Sequence, residues 1–249
     1  MSEMRLNKAL AEAGVCSRRK ADELIAAGWV TVNGQVVQEM GLRVTPGKDA
    51  IAVQGQKVFF TPGQQDEKIY VLLHKPVQVV CTASDPQGRA TVLDYLPQHL
   101  KNKRLYPVGR LDYFSEGLLL LTDDGELTHR LTHPRYHLPK EYEVQVREMP
   151  TQRMLETMHR GMTLAEGERL APVEAHVAPD APNTLHLVLH QGLNRQIRRM
   201  CRDLGLTILR LTRVSLGPIS LGDLPSGKAR VLYHDEIVTL RRAAGLGKR

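Results

Sequence analysis

Residues 106–127 read YPVGRLDYFSEGLLLLTDDGEL, and the rest of the chain is best understood from this stretch outward. It passes through Gly109-Arg110-Leu111-Asp112, bends at Ser115-Glu116-Gly117 and ends in an unbroken apolar run from Leu118 to Leu121. A run so short, closed by Asp123-Asp124-Gly125, predicts a buried strand followed by a tight turn. Arg110 and Asp112 stand two positions apart on the loop that feeds this strand, an arrangement a catalytic carboxylate would need. The ordinary alternative is a surface Arg-Asp pair in a turn. The surrounding sequence decides between them.

With 249 residues the chain can hold one large domain and one small one, each with a core. Thirty-four Lys and Arg against 27 Asp and Glu give a net charge of +7, which favours a polyanionic partner. The clustering is stronger evidence than the total: Arg195, Arg198, Arg199, Arg202, Arg210 and Arg213 share their stretch with one acid, Asp203. Cys16, Cys81 and Cys201 are widely spaced and contain no Cys-x-x-Cys, so neither a disulfide framework nor a zinc site is expected. A reducing compartment follows, and the polar N-terminus and lack of a membrane-length apolar run point to the cytoplasm.

Upstream, RLNKALAEA places Leu6, Ala9, Leu10 and Ala13 at helical spacing, ended by Gly14. Ser17 is placed to cap a second helix that turns Ala21, Leu24 and Ile25 inward and stops at Gly28. WVTVNGQVV then carries the Asn33-Gly34 hairpin signal, and GLRVTPGKDAIAVQGQKV supplies a further strand pair. Arg5 and Lys8 lie on the polar side of the first helix, while Arg18, Arg19 and Lys20 crowd the start of the second. Cations there oppose the helix dipole, a cost that a bound phosphate would relieve. A solvated basic face is the plainer reading, and RNA contact the favoured one.

Residues 61–68 read as a polar linker. IYVLLHKP is then a strand ended by Pro76, with VQVVCTAS as its expected hairpin partner. A turn follows at 85–89, then a short helix with Thr91 at its start. ELTHRLTHP is a brief helix. His129, His133 and His137 fall four apart, but Pro134 breaks any helix that would align them, and no metal is expected.

KEYEVQV predicts a strand with Tyr142, Val144 and Val146 on one face, Tyr142 being as easily an ordinary core tyrosine. TQRMLETMHRG is an amphipathic helix, and strands are expected in 163–179 and 183–190. QGLNRQIRRMCRDLG is a helix whose Ile197, Met200, Cys201 and Leu204 form one stripe. Arg195, Arg199 and Arg202 lie opposite, and Arg198 at the border can turn its guanidinium inward. Two more strands and a frayed basic tail complete the chain.

No phosphate loop, dinucleotide fingerprint or nucleophile elbow occurs, so no cofactor is expected. What remains is Asp112, arginines able to hold it ionised, and the Tyr142 hydroxyl. A carboxylate so placed in an RNA-binding protein suggests chemistry at a ribose or base. A glycoside or nucleoside hydrolase would want a second carboxylate, and Glu116, read as facing solvent in its turn, is the only neighbour.

Two resemblances bear on these readings. The pattern from Arg5 to Gly34, R-L-N-K-A-L…S-R-R-K-A-D-E-L-I…G-x-V-x-V-N-G, resembles the S4-like RNA-binding module. GRLD with S-x-G-L-L-L-L-T-x-D-G-E-L, then K-E-Y, then N-R-Q-I-R-R-M, resembles the pseudouridine synthases, in particular the RsuA/RluB/RluE/RluF branch and its RluF-type members.

The resemblance implies an α+β chain: an S4-like domain at 1–60, the linker, a catalytic domain at 69–242 on a large mixed, mainly antiparallel sheet with flanking helices, and a basic tail at 243–249. It implies isomerisation of a uridine in ribosomal RNA, most simply large-subunit RNA or an assembly intermediate, by a monomer without cofactor or membrane. The N1–C1′ bond is broken, the uracil turns, and C5 joins C1′. Asp112 corresponds to the family's catalytic aspartate, Tyr142 to its active-site tyrosine, Arg198 to the basic partner of the aspartate, and Arg110 to a residue that shapes its loop. Lys75, Arg89, Arg195, Arg199 and Arg202 join the N-terminal cations as expected RNA contacts. Phe114, where many relatives carry a small polar or acidic residue, and Gln78, where glycine is common, depart from the pattern. The rival readings are a non-catalytic RNA-binding or assembly factor, or the same reaction on small-subunit or transfer RNA.

Overall fold

The computed structural model describes residues 3–60, 68–136 and 138–247. The chain divides into two compact units, Met1–Glu67 and Lys68–Arg249. The expected linker falls almost wholly outside the described residues, as do His137 and the last two residues of the expected tail.

In the first unit, strand β1 (Met4–Arg5) leads into α1 (Leu6–Glu12) and α2 (Arg18–Ala26). Ser17 caps α2, its hydroxyl accepting the Lys20 N–H at 3.1 Å. A four-stranded sheet follows, β2 (Val30–Val32) pairing with β3 (Gln35–Val37) and β5 (Ile51–Val53), and β5 with β6 (Gln56–Val58). Asn33 and Gly34 both take positive φ, the geometry a two-residue hairpin turn needs. Leu6, Leu10, Ala21, Ile25, Val30 and Ile51 form the core. Two short strands were not anticipated: β1, and β4 (Arg43–Val44), which pairs back to it instead of to its sequence neighbour.

The second unit is built on a nine-stranded sheet. Its strands are β7 (Tyr70–Lys75), β8 (Tyr106–Pro107), β9 (Glu116–Thr122), β10 (Lys140–Val146), β11 (Glu174–Ala178), β12 (Ala181–Leu189), β13 (Ile208–Leu216), β14 (Ile219–Ser220) and β15 (Ala229–Val231). The order is β11-β12-β10-β13-β9-β7-β15, with β14 on β13 and β8 on β9. The β9–β13 seam is parallel, and the other described pairings in the sheet are antiparallel. Every residue of β7 and β9 is buried, which explains the unbroken apolar runs at 70–73 and 118–121 within them. Helices α3 (Gly125–Thr132) and α6 (His234–Ala243) pack with Leu72, Leu118 and Leu120 on one face. Helices α4 (Gln152–Arg160) and α5 (Gln196–Asp203) close a second core over Val144, Leu185 and Leu187.

Four local expectations are corrected or refined. Residues 77–84 form no strand beside β7, because β9 and β15 already occupy both its edges; only an isolated Val80–Thr91 bridge remains. The tight turn expected at Asp123-Asp124-Gly125 leads straight into a helix: Asp124 caps α3, accepting the Leu127 N–H at 2.9 Å. Residues 163–173 supply only a Thr163–Arg169 bridge, whereas the region after 207 supplies three strands instead of two. The C-terminal segment is not frayed up to Leu246. Arg241 donates to Asp124 at 2.7 Å and to the Tyr70 hydroxyl at 3.1 Å, Ala244 is buried, and Leu246 packs on the same core.

Candidate active site

One row of paired residues crosses the sheet and underlies the site. Lys75 pairs with Gly117, Gly117 with Arg213, Arg213 with Tyr142, and Tyr142 with Leu187. Cross-strand partners project to the same face, so the Lys75, Arg213 and Tyr142 side chains share one side of the sheet. Gly117, at φ +103°, is required here: a Cβ would meet the Arg213 carbonyl oxygen at 2.3 Å. The residue before it, Glu116, therefore projects to the opposite face. There it is buried and bound by Arg210 and by the Thr212 hydroxyl. Glu116 does not face solvent, as its place in the sequence suggested, and it is on the wrong face to be a second acid for Asp112.

Above this row sits the turn 112–115, closed by the Ser115 N–H on the Asp112 carbonyl at 3.0 Å. All four of its carbonyls are held from outside. Lys75 Nζ donates to those of Asp112 at 3.2 Å and Ser115 at 2.7 Å, and to that of Pro76 at 2.8 Å. The Gln78 N–H donates to the Tyr113 carbonyl at 2.6 Å, and Arg198 Nη2 to that of Phe114 at 2.7 Å and to Ser115 Oγ at 3.0 Å. Just upstream, the Leu111 N–H donates to Cys81 Sγ at 3.3 Å. An ammonium has three N–H donors, and those of Lys75 meet three carbonyls.

Lys75 is 0 % exposed, which removes it from the expected RNA contacts. Burial lowers its pKa below the usual lysine value, opposed by the nearby Cys81, Asp112 and Glu116. Its role was not visible in the sequence, where a Lys before Pro reads as surface.

The turn presents the Asp112 carboxylate to α5. Arg198 Nε lies 3.6 Å from Asp112 Oδ2, and Arg195 Nη1 3.8 Å from the same atom. Arg195 stands at the N-cap of α5 in the left-handed region, φ 50°. Burial depresses the Arg198 pKa and Asp112 works against that shift; an arginine starts high enough to stay cationic at neutral pH. The Asp112 side chain keeps 31 % of its exposure, so the carboxylate is open on one side.

The remaining expected residues separate into two groups. Arg110 is exposed beside the turn, and Tyr142 is half-buried against the core of Val144 and Leu187. Arg5, Arg18 and Arg19 are exposed in the N-terminal unit. Others are engaged by acids: Lys8 by Glu12, Lys20 by Glu23, and Arg89 by Asp85 within its turn. Arg199 pairs with Glu168 at 2.6 Å, and Arg202 with Glu166 and Asp203 at 2.7 Å each. Those two arginines tie α5 to the loop at 166–168, which weakens the case for them as RNA contacts.

Comparison with known proteins gives a consistent picture. The family model described as RNA pseudouridylate synthase matches residues 69–203, and the S4 domain model matches residues 4–49. The ribosomal large subunit pseudouridine synthase B of Bacillus subtilis is 42% identical, over 98% of each chain. The dual-specificity RNA pseudouridine synthase RluF of Escherichia coli is 36% identical, over 96% of this chain and 79% of that one. Among solved structures, a pseudouridylate synthase crystal structure is similar at TM-score 0.68 and 28% identity, covering 95% of this chain and 99% of that one.

Proposed function

The chain belongs to the RNA pseudouridylate synthase family, and we propose that it isomerises a specific uridine of large-subunit ribosomal RNA, with Asp112 as the group that acts at the ribose. The observation that carries this reading is Asp112 itself: a carboxylate open to a ligand on one side, faced by two guanidiniums on the other, on a turn whose four carbonyls are all tied down. The reaction is an internal exchange. N1–C1′ breaks and C5–C1′ forms, while C5 gives up a proton and N1 gains one, so no cofactor is needed for balance. A target must leave its helix to bring C1′ to Asp112. Arg198 offsets the carboxylate's charge while leaving its outer side free. Tyr142, on the face that carries Lys75 and Arg213, supplies a ring to lie against the detached uracil and a hydroxyl near its protons.

The S4 domain supplies a second hold on structured RNA, through Arg5, Arg18 and Arg19. The large-subunit assignment is supported by relatives named for that subunit. We take the protein to act as a cytoplasmic monomer; among the described residues no helix is long and apolar enough to cross a membrane.

Tritium release from 5-tritiated uridine in unmodified ribosomal RNA tests the assignment. Asp112→Asn is expected to abolish release while keeping RNA affinity, and equal release from both proteins would refute the catalytic role. Carbodiimide-stop mapping in cells with and without the gene then locates the modified uridine; a small-subunit position would overturn the large-subunit reading.

A further inference from the structure

Tyr113 and Phe114 occupy the two corners of the turn that begins at Asp112, and nothing in the reaction as described uses them. Their rings meet edge to face, with centroids 5.1 Å apart and planes at 82°. Tyr113 is 38% exposed and Phe114 59%. Apolar rings on a loose loop would fold inward and bury surface. This loop is not free to do so, because each of its carbonyls is already claimed by Lys75, Gln78 or Arg198. Gln78 holds its N–H on the Tyr113 carbonyl at a positive φ of 62°, a conformation that favours glycine. The protein thus accepts an uncommon backbone geometry at Gln78 and keeps two rings pointing into water.

The surroundings identify what the rings await. Arg110 is exposed beside the turn, and Arg195 reaches the Asp112 carboxylate. Aromatic faces set among guanidiniums are how proteins hold single-stranded nucleic acid: the cations track the backbone and the rings take the bases. A docking protein would be better met by further apolar surface around the pair. Proximity narrows the occupant. The ends of such a turn lie less than about 7 Å apart, and neighbouring nucleotides are spaced by about 3.4 Å along a stacked strand. A base one or two steps from the nucleotide at Asp112 therefore reaches the corner rings.

We propose that the Tyr113–Phe114 pair is a stacking platform for an unpaired base flanking the target uridine, and so a determinant of which RNA site is accepted. This inference rests on the function proposed above and assigns a task to the two positions, Phe114 and Gln78, at which the chain departs from the family pattern.

The test uses full-length protein and an unmodified large-subunit ribosomal RNA transcript. Phe114→Ala should weaken affinity about ten-fold, as loss of one stacked base does, and Phe114→Trp should stay within about two-fold of the parent. In a Trp29→Phe background the indole introduced by F114W is the sole tryptophan, and it should become shielded from acrylamide when the transcript binds. Phe114 is mostly exposed, so a thermal melt should show F114A as stable as the parent. Unchanged affinity in both F114A and the Tyr113→Ala/Phe114→Ala double variant would overturn the platform, as would an indole equally accessible with and without RNA. Either result would leave pseudouridine formation by the parent intact. Failure of the parent to make pseudouridine would instead count against the proposed function and leave the binding results to be read by themselves.

Discussion

Around Asp112, cationic side chains are turned onto the protein's own backbone; at the start of α2 they are turned to water. Lys75 donates to two carbonyls of the turn 112–115, and Arg198 Nη2 to a third. Arg18 and Arg19 are exposed, at a helix N-terminus whose dipole disfavours them. The contrast fits the roles proposed for the two regions, chemistry at a ribose and a hold on RNA. Bond rearrangement at a sugar carbon tolerates little positional error, so charge there is best used to hold geometry. A grip on RNA phosphates gains from cations that can adjust and that release counterions on binding.

The most damaging way to break this contrast is to remove the lysine beneath the turn. Lys75→Met keeps the apolar stem and orphans the Pro76 and Ser115 carbonyls, the Asp112 carbonyl keeping the Ser115 N–H, with an expected loss of about 2–4 kcal/mol measured by denaturant unfolding. Tritium release should fall with it. The pH dependence has a definite sign. Burial lowers the folded-state pKa of Lys75, so between that value and the unfolded one the unfolded chain binds the extra proton. This group's contribution to stability therefore rises with pH across that window and is constant below it. The stability gap between parent and Lys75→Met should widen with alkalinity there; a gap that narrowed would contradict the burial argument.

A milder disruption is Arg198→Lys, which keeps the charge but loses the two-pronged reach to Phe114 and Asp112. A loss of about 10²-fold in turnover is expected from a carboxylate displaced by an ångström or so, with RNA affinity little changed. Equal losses in affinity would mean that Arg198 grips RNA instead of positioning Asp112. Smallest is the effect at the other region: Arg18→Ala with Arg19→Ala should weaken RNA binding and leave turnover of saturated enzyme alone. The slope of log affinity against log salt should shallow by about 1.5–2 if both contact phosphates. An unaltered slope would sharpen the contrast in another direction, by taking these two residues out of the RNA contacts.

Much of the fold was readable because it depends on local chemistry. Ser17 and Asn33-Gly34 each decide their own few residues, and both act as their neighbours in sequence suggest. The failures come from pairings made at a distance. VQVVCTAS has a strand-like pattern, yet the edge of β7 is taken by β9, some forty residues later. Glu116 reads as solvent-facing until the Gly117–Arg213 contact fixes which side it faces. The site divides in the same way: Asp112 and Arg198 could be picked out from motif and helical phase, and the structure brings them together. Lys75 could not, since only the register of β7 against β9 puts a lysine under the turn.

The parallel seam between β9 and β13 has a consequence for the life of the chain. Gly117 can pair with Lys75 early, but Glu116 and Gly117 lack their parallel partners until Thr212 and Arg213 are made, nearly a hundred residues later. Such distant pairing folds late. On the function proposed above, a nascent chain still emerging from the ribosome can therefore complete its S4 domain before the seam beneath Asp112 exists, and so hold RNA before it can act on it.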